Sequence, residues 1–257
     1  MDNLVKEHER VDDLQLKGLK IIQNPDGFCF GIDAVLVSNF AQIKKNGVVV
    51  DLGTGTGIIP LLISGKSTAK KIYGVEVQDT VADMANRSVL LNNLSDRIEI
   101  VHDNLKNIHK HLDKGIADVV ISNPPYMPAG GAIINPGSYK AISRHEVLCT
   151  LEDVIKTASS LLKEKAGFYM VHRPSRLVDI ISICRENKLE PKVIRFIHPK
   201  QGKEPNIMLV KCVKAGNPEI RIMPPLYVYN NDGTYTQEIF EIYNQVNIDV
   251  FDKRGDV

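Results

Sequence analysis

The chain has 257 residues, 43% hydrophobic and 25% charged, with a formal net charge of +1, as in an ordinary soluble globule large enough for one α/β domain with an appendage. The charge predicts no polyanion partner by itself, the charged opening "MDNLVKEHERVDDLQLKGLK" has no signal-peptide character, and no apolar run reaches the roughly 20 residues of a membrane-spanning helix. Cys29, Cys149, Cys184 and Cys212 are scattered without a Cys-x-x-Cys pair, so neither a zinc site nor a disulfide framework is expected, no metal is called for, and a reduced cytoplasm is the expected location.

The first elements read as a small hairpin, "GLKIIQ" and "GFCFG", around the turn "NPDG". A helix follows through "AVLVSNFAQI", with Asp33 as its N-cap or as a ligand contact. Phe28 and Phe30 either cover a ligand site or belong to the core, and for Phe30 the core is favoured. Strands and helices then alternate. "GVVVDLG" is a strand and "GIIPLLIS" opens a helix; "KIYGVEV" is a strand and "TVADMANRSVLLNNL" a helix with apolar residues at helical spacing; "RIEIVHD" and "DVVIS" are further strands. "TLEDVIKTASSLLKEK" is amphipathic, with Thr150 and Asp153 at the positions of a capping box. "GFYMVH", "KVIRFIH" and "NIMLVKCVK" are three more strands, the last two close enough for an antiparallel edge, and the tail reads as a strand, a turn and a short helix. This order predicts an α/β fold, a doubly wound, mostly parallel sheet of seven strands. The expected division is an N-terminal hairpin and helix over residues 1–45 packing on a core, a main domain over 46–215, and a C-terminal appendage over 216–257.

Four features fall at the carboxyl ends of successive strands, where doubly wound sheets bind ligands. "VVVDLGTGTGIIP" puts Asp51, Gly53, Thr54, Gly55 and Gly57 in a strand-to-helix turn whose glycines let backbone approach a ligand. Such turns also serve packing, and the Gly-x-Gly-x-Gly spacing is not that of dinucleotide binders. Glu76 ends the next strand, where a carboxylate can accept both ribose hydroxyls of a nucleoside. Asp103 ends the third, where it either receives an adenine amino group or caps the next short helix. The fourth is "ADVVISNPPYMPAG": a strand runs into Asn123-Pro124-Pro125-Tyr126, and two prolines without N–H groups end the ladder in a stiff loop. That loop carries one amide and one aromatic ring, suited to a flat amide or amine.

The constellation resembles the class I S-adenosylmethionine-dependent methyltransferases, and Asn-Pro-Pro-Tyr is similar to the signature of their amino-methylating members. The flanking "IIQNPDGFCFGIDAVLVSNFA", the "RHE" at Arg144–Glu146 and the basic "HPKQGKEPNIMLVKCVKAG" resemble the bacterial tRNA(Val) adenine-N6-methyltransferase family. The resemblance implies a Rossmann-like fold, S-adenosylmethionine as cofactor over Asp51, Gly53, Thr54, Gly55, Gly57, Glu76, Asp103 and Asn123, and tRNA as partner. It makes Asn123, Pro124, Pro125 and Tyr126 catalytic: the Asn123 side-chain oxygen and the Pro124 carbonyl bind the two hydrogens of the reacting amine, and Tyr126 offers a face to a base taken out of its stack.

Charge distribution bears on the substrate. Residues 141–215 hold 14 basic and 8 acidic side chains. Arg173, Arg195, Lys200 and Lys203 in that segment are candidates for phosphate contacts, although each taken singly reads as a solvated charge; His145, His172 and His198 read as structural. The expected function is methyl transfer to adenine N6 in a tRNA anticodon loop. The rival within the class is a protein glutamine-N5 methyltransferase, whose primary amide presents the same NH₂ but which usually has a separate helical N-terminal domain, for which the stretch before the glycines is too short. From other classes, a non-catalytic nucleotide-binding module and a dehydrogenase are disfavoured by the intact Asn123–Tyr126 run and by the glycine spacing.

Overall fold

A computed structural model describes residues 4–27, 29–126 and 149–243. Residues 127–148, with Arg144–Glu146 and His145, and Phe28 lie outside the described residues.

Strand β1 (Arg10–Asp13) pairs antiparallel with β2 (Lys20–Gln23), Arg10 opposite Gln23 and Asp13 opposite Lys20. This replaces the hairpin expected from "GLKIIQ" and "GFCFG". Asn24–Gly27 does turn, with Gly27 N–H donating to the Asn24 carbonyl at 3.0 Å. Among the described residues no strand follows it, and the Gln23 side-chain Oε1 accepts from the Phe30 N–H at 3.1 Å. Helix α1 (Ile32–Phe40) has Gly31, not Asp33, at its N-cap; Asp33 sits in the first turn and makes no cap hydrogen bond.

The parallel core is built from β3 (Val48–Leu52), α2 (Ile58–Lys66), β4 (Lys71–Glu76), α3 (Asp79–Leu91), β5 (Ile98–His102), a 3₁₀ turn (Leu105–Lys110) and β6 (Ala117–Ser122). Helix α4 (Leu151–Leu161) carries the expected capping box: Asp153 N–H donates to Thr150 Oγ1 at 3.1 Å and Thr150 N–H to Asp153 Oδ2 at 2.9 Å. It leads directly into β7 (Leu162–His172), followed by α5 (Leu177–Glu186), β8 (Leu189–Lys200), β9 (Ile207–Lys214), β10 (Arg221–Ile222), β11 (Leu226–Tyr229) and α6 (Gln237–Tyr243).

The sheet runs β5-β4-β3-β6-β7-β9-β8, with β10 and β11 both pairing parallel to the outer edge of β8. The seven expected strands are therefore extended by two short ones. The last two main strands form the expected antiparallel pair on this side of the sheet, with β9 between β7 and β8 and antiparallel to both. A short turn after β8 forces β9 back along it, and β9 fills the gap that the crossover through α5 leaves beside β7. In β3 successive side chains serve opposite faces, so Val49 packs with α1 and α2 while Val50 and Leu52 pack with α4. Burial on both faces explains why the strand reads as an unbroken apolar run.

The hairpin is held against α3. Ile22 N–H donates to Ser88 Oγ at 3.0 Å, and Arg87 of α3 makes a two-pronged pair with Glu9, each contact 2.6 Å, with side-chain exposures of 9% and 7%. The guanidinium hydrogen bonds hold the Glu9 carboxyl below its usual range. Arg87→Met is expected to destabilise the fold by about 3–5 kcal/mol, because it strands a buried carboxylate, while Glu9→Leu added to it restores much of the loss. Denaturant midpoints of the three proteins check this. Since a depressed carboxylate stabilises only above its unfolded pKa, the wild-type advantage should disappear on acidification below about pH 4.

Candidate functional site

Register brings the four sequence features to one edge. Leu52 at the end of β3 lies beside Val75 of β4 and Ser122 of β6, and Glu76 lies beside His102 of β5. The loops leaving these strands, with Gly53, Glu76, Asp103 and Pro124–Pro125, line one cleft.

Gly53 and Gly55 adopt φ of +77° and +56°, and a Cβ on either would meet nothing within 4 Å. Open space therefore lies over a backbone that only glycine adopts without strain. Asp51 and Thr54 have their side chains turned inward, 0% and 2% exposed, so they shape the loop from beneath. Gly74 makes room for Thr54: a Cβ there would stand 2.8 Å from Thr54 Oγ1. Neither Asp51 oxygen meets a partner at full hydrogen-bond geometry. Burial, with the Glu76 carboxylate adding to it, pushes the Asp51 carboxyl up to about 7, and the nearby Thr54 hydroxyl opposes this only in part.

Glu76 is 3% exposed, and all its hydrogen bonds come from backbone. Oε2 accepts from Gly55 N–H at 3.0 Å, and Oε1 accepts from Val77 and Gln78 N–H, each at 3.0 Å. The glycine loop is thus tied to the end of β4, a role that the sequence does not reveal. Asp103 accepts from Asn104 N–H at 2.6 Å, Asn107 Nδ2 at 2.9 Å and His111 Nε2 at 2.8 Å. The Asn107 and His111 bonds hold its carboxyl down to about 2. The cap of the following 3₁₀ turn is Asn104, whose side chain accepts from Lys106 N–H at 3.0 Å, not Asp103.

Asn123 leaves β6 and turns back toward Tyr126, whose hydroxyl lies 3.0 Å from Asn123 Oδ1 and 2.5 Å from Asp33 Oδ2. The Tyr126 ring is not an open platform. The Arg173 guanidinium stands 4.8 Å from its centroid and the His172 ring packs against it at 5.2 Å. Burial holds the His172 imidazole down to about 4, helped by the charge of Arg176, so it is neutral at physiological pH. The sequence offered Asp33 as a cap or a ligand contact, His172 as a structural residue and Arg173 as a phosphate contact; their convergence on Tyr126 joins segments far apart in the chain.

The other basic candidates separate. Arg195 pairs with Glu238 at 2.6 Å and donates to the Pro224 carbonyl at 3.1 Å, tying the tail to β8. Lys200 and Lys203 are exposed on the β8–β9 turn. Because β8 runs parallel to β7, that turn emerges at the same sheet edge as the cleft, and Arg173 reaches toward it by donating to the Asn206 carbonyl at 2.9 Å. No cluster of three or more metal-ligating side chains occurs among the described residues.

The family described as the methyltransferase small domain matches residues 24–176. The chain is 25% identical over 223 residues to the tRNA1(Val) (adenine(37)-N6)-methyltransferase of Pedobacter heparinus, covering 86% of this chain and 92% of the relative. It is 27% identical to the protein of the same name from Phocaeicola vulgatus, covering 71% and 79%. A predicted O-methyltransferase of Agrobacterium tumefaciens has the same fold, with a TM-score of 0.68 at 22% identity over 83% of this chain and 96% of that one.

The buried Asp51 carboxyl gives a pH test. With a folded pKa of about 7 against about 3.9 unfolded, the folded chain keeps a proton that the unfolded chain has released, so stability declines as pH rises through that window. Asp51→Asn should remove this part of the slope. Urea midpoints of both proteins at about pH 4.5 and 7.5 measure it; parallel declines would mean that Asp51 is ionised throughout.

Proposed function

Because the chain belongs to the methyltransferase small domain family and is an S-adenosylmethionine-dependent methyltransferase, we propose that it methylates N6 of an adenine in tRNA, the adenine at position 37 of tRNA1(Val) for which its relatives are named. The observation that carries the reading is the meeting of the glycine loop, Glu76, Asp103 and the Asn-Pro-Pro-Tyr loop at consecutive strand ends. Among the described residues no helix is long and apolar enough to cross a membrane.

The residues fit the cofactor. The open space over Gly53 and Gly55 admits a ligand against bare backbone. Glu76 keeps one acceptor site, on Oε2, beyond its three backbone bonds and lines the cleft, where it would accept from a ribose hydroxyl, and Asp103, kept ionised, would accept from an adenine amino group. When bound, S-adenosylmethionine supplies a methyl group made electrophilic by its sulfonium. The chain does the aligning. The lone pair of an adenine N6 is delocalised into the ring, so the amine is a poor nucleophile. Asn123 Oδ1 and the Pro124 carbonyl accept its two hydrogens, draw the nitrogen toward tetrahedral geometry and aim the lone pair at the methyl. Pro124 and Pro125 keep these acceptors from shifting. No strong base is needed, since the proton can leave after transfer. Arg173 and the Lys200–Lys203 turn, on the same sheet edge as Tyr126, supply positive charge for the RNA backbone.

Transfer of labelled methyl from S-adenosylmethionine to total tRNA, DNA and protein in parallel tests the proposal; label in tRNA alone, mapped to N6-methyladenine, is expected, and label in protein alone would return the glutamine reading. Asn123→Ala should cut turnover by about 10²–10³, the loss usual for one preorganised contact, with donor affinity little changed by calorimetry. Replacing Lys200 and Lys203 together by Ala should raise KM for tRNA and flatten the salt dependence of binding by about two contacts. A salt titration giving identical slopes would remove this turn from the RNA face.

A further inference from the structure

The Tyr126 hydroxyl faces two acceptors but has one hydrogen to donate. Asp33 Oδ2 is at 2.5 Å and Asn123 Oδ1 at 3.0 Å. The carboxylate is nearer, and a hydrogen bond to an ionised acceptor is roughly twice as strong as one to a neutral amide. The hydrogen therefore goes to Asp33. Tyr126 Oη is then an acceptor toward Asn123, and an amide oxygen 3.0 Å away would set two acceptors face to face. The two ends of an amide have nearly the same shape, so donor and acceptor chemistry decides which end turns inward. A half-turn of the Asn123 amide replaces the repulsion with an Nδ2–H···Oη bond.

We propose that Asp33 is a positioning residue: by claiming the single hydrogen of the Tyr126 hydroxyl, it turns the Asn123 amide so that Nδ2 faces Tyr126 and Oδ1 is left to accept from the substrate amine. The inference rests on the reading in which Asn123 binds that amine, and it assigns to α1, a part of the chain remote from the Asn-Pro-Pro-Tyr loop in sequence, control over which end of the amide the substrate meets. Burial weighs against the charge this requires, and two neighbours offset part of that. Burial raises the Asp33 pKa, while the Tyr126 hydrogen bond and the charge of Arg173 oppose it. Arg173 is held for this by its seat over the Tyr126 ring and its bond to the Asn206 carbonyl. A protonated Asp33 would have the opposite effect. It would donate to Tyr126, the Tyr126 hydrogen would pass to Asn123 Oδ1, and the oxygen that the reaction uses would be occupied.

The test uses the full chain as wild type, Asp33→Asn, Tyr126→Phe and the double variant, each checked for folding by circular dichroism. Nitrogen-edited NMR of the Asn123 side-chain amide, assigned by its loss in Asn123→Ala, is expected to show one proton protected from exchange in the wild type and neither protected in Tyr126→Phe or Asp33→Asn. In the methyl-transfer assay, Asp33→Asn should lower kcat about tenfold to a hundredfold, the scale of losing a positioned contact, with KM for the donor within about twofold. The double variant should be no slower than Tyr126→Phe, since Asp33 acts only through the hydroxyl. Losses that multiply in the double variant, or an Asn123 amide signal indifferent to Asp33→Asn, would overturn the proposal. If the wild type methylates no RNA, the proposed function fails, and the NMR comparison still decides whether Asp33 orients the amide.

Discussion

A carboxylate removed from water must find donors, and Glu76 finds all three of its own in backbone: Gly55 on one side, Val77 and Gln78 on the other. Because these donors belong to two different loops, the bonds that satisfy the charge also join the glycine loop to the end of β4. Gly53 and Gly55 then keep their left-handed conformations beside an open surface. The arrangement has a cost beneath it. Asp51 lies close enough to Glu76 for the two charges to repel, and burial makes Asp51 hold its proton to about neutral pH.

The alignment of strand ends turns these local features into a site. Parallel neighbours in register release their chains at one edge, so residues from four separate strand ends meet. Inserting β9 between β7 and β8 extends this logic. It lets β8 run parallel to β7 and sends the Lys200–Lys203 turn to the same edge as Tyr126. Arg173 spans the space between, stacked on Tyr126 and bonded to the Asn206 carbonyl. The proposed acceptor site and the proposed RNA-facing turn are therefore mechanically connected through one guanidinium.

Much of this was readable from short stretches. Apolar runs bounded by glycine and proline marked the core strands, the Thr150–Asp153 spacing marked a helix start, and two prolines marked the end of β6. In each case the deciding forces act between residues a few positions apart: a missing N–H, a fixed φ, a side chain reaching its own turn. The order of the four motifs along the chain was also enough to place them at neighbouring strand ends, because a doubly wound sheet leaves few topologies open.

What the chain kept hidden are contacts between distant segments. The sequence pairs "GLKIIQ" with "GFCFG" and gives no sign of a strand at Arg10–Asp13, which is held as the hairpin's partner by packing on α3, with Arg87 paired to Glu9. Arg195 reads as a solvated cation until the tail brings Glu238 beside it. Asp33 reads as a helix cap or a ligand contact until Tyr126 arrives after four intervening strands. By itself, then, the sequence determined the elements, the motif order and the kind of chemistry, since propensity and patterning are local. The tertiary structure alone decided which charges are spent on the protein itself and which remain for a ligand, because hydrogen bonds and ion pairs have a reach of a few ångströms and their partners meet only when the sheet has closed.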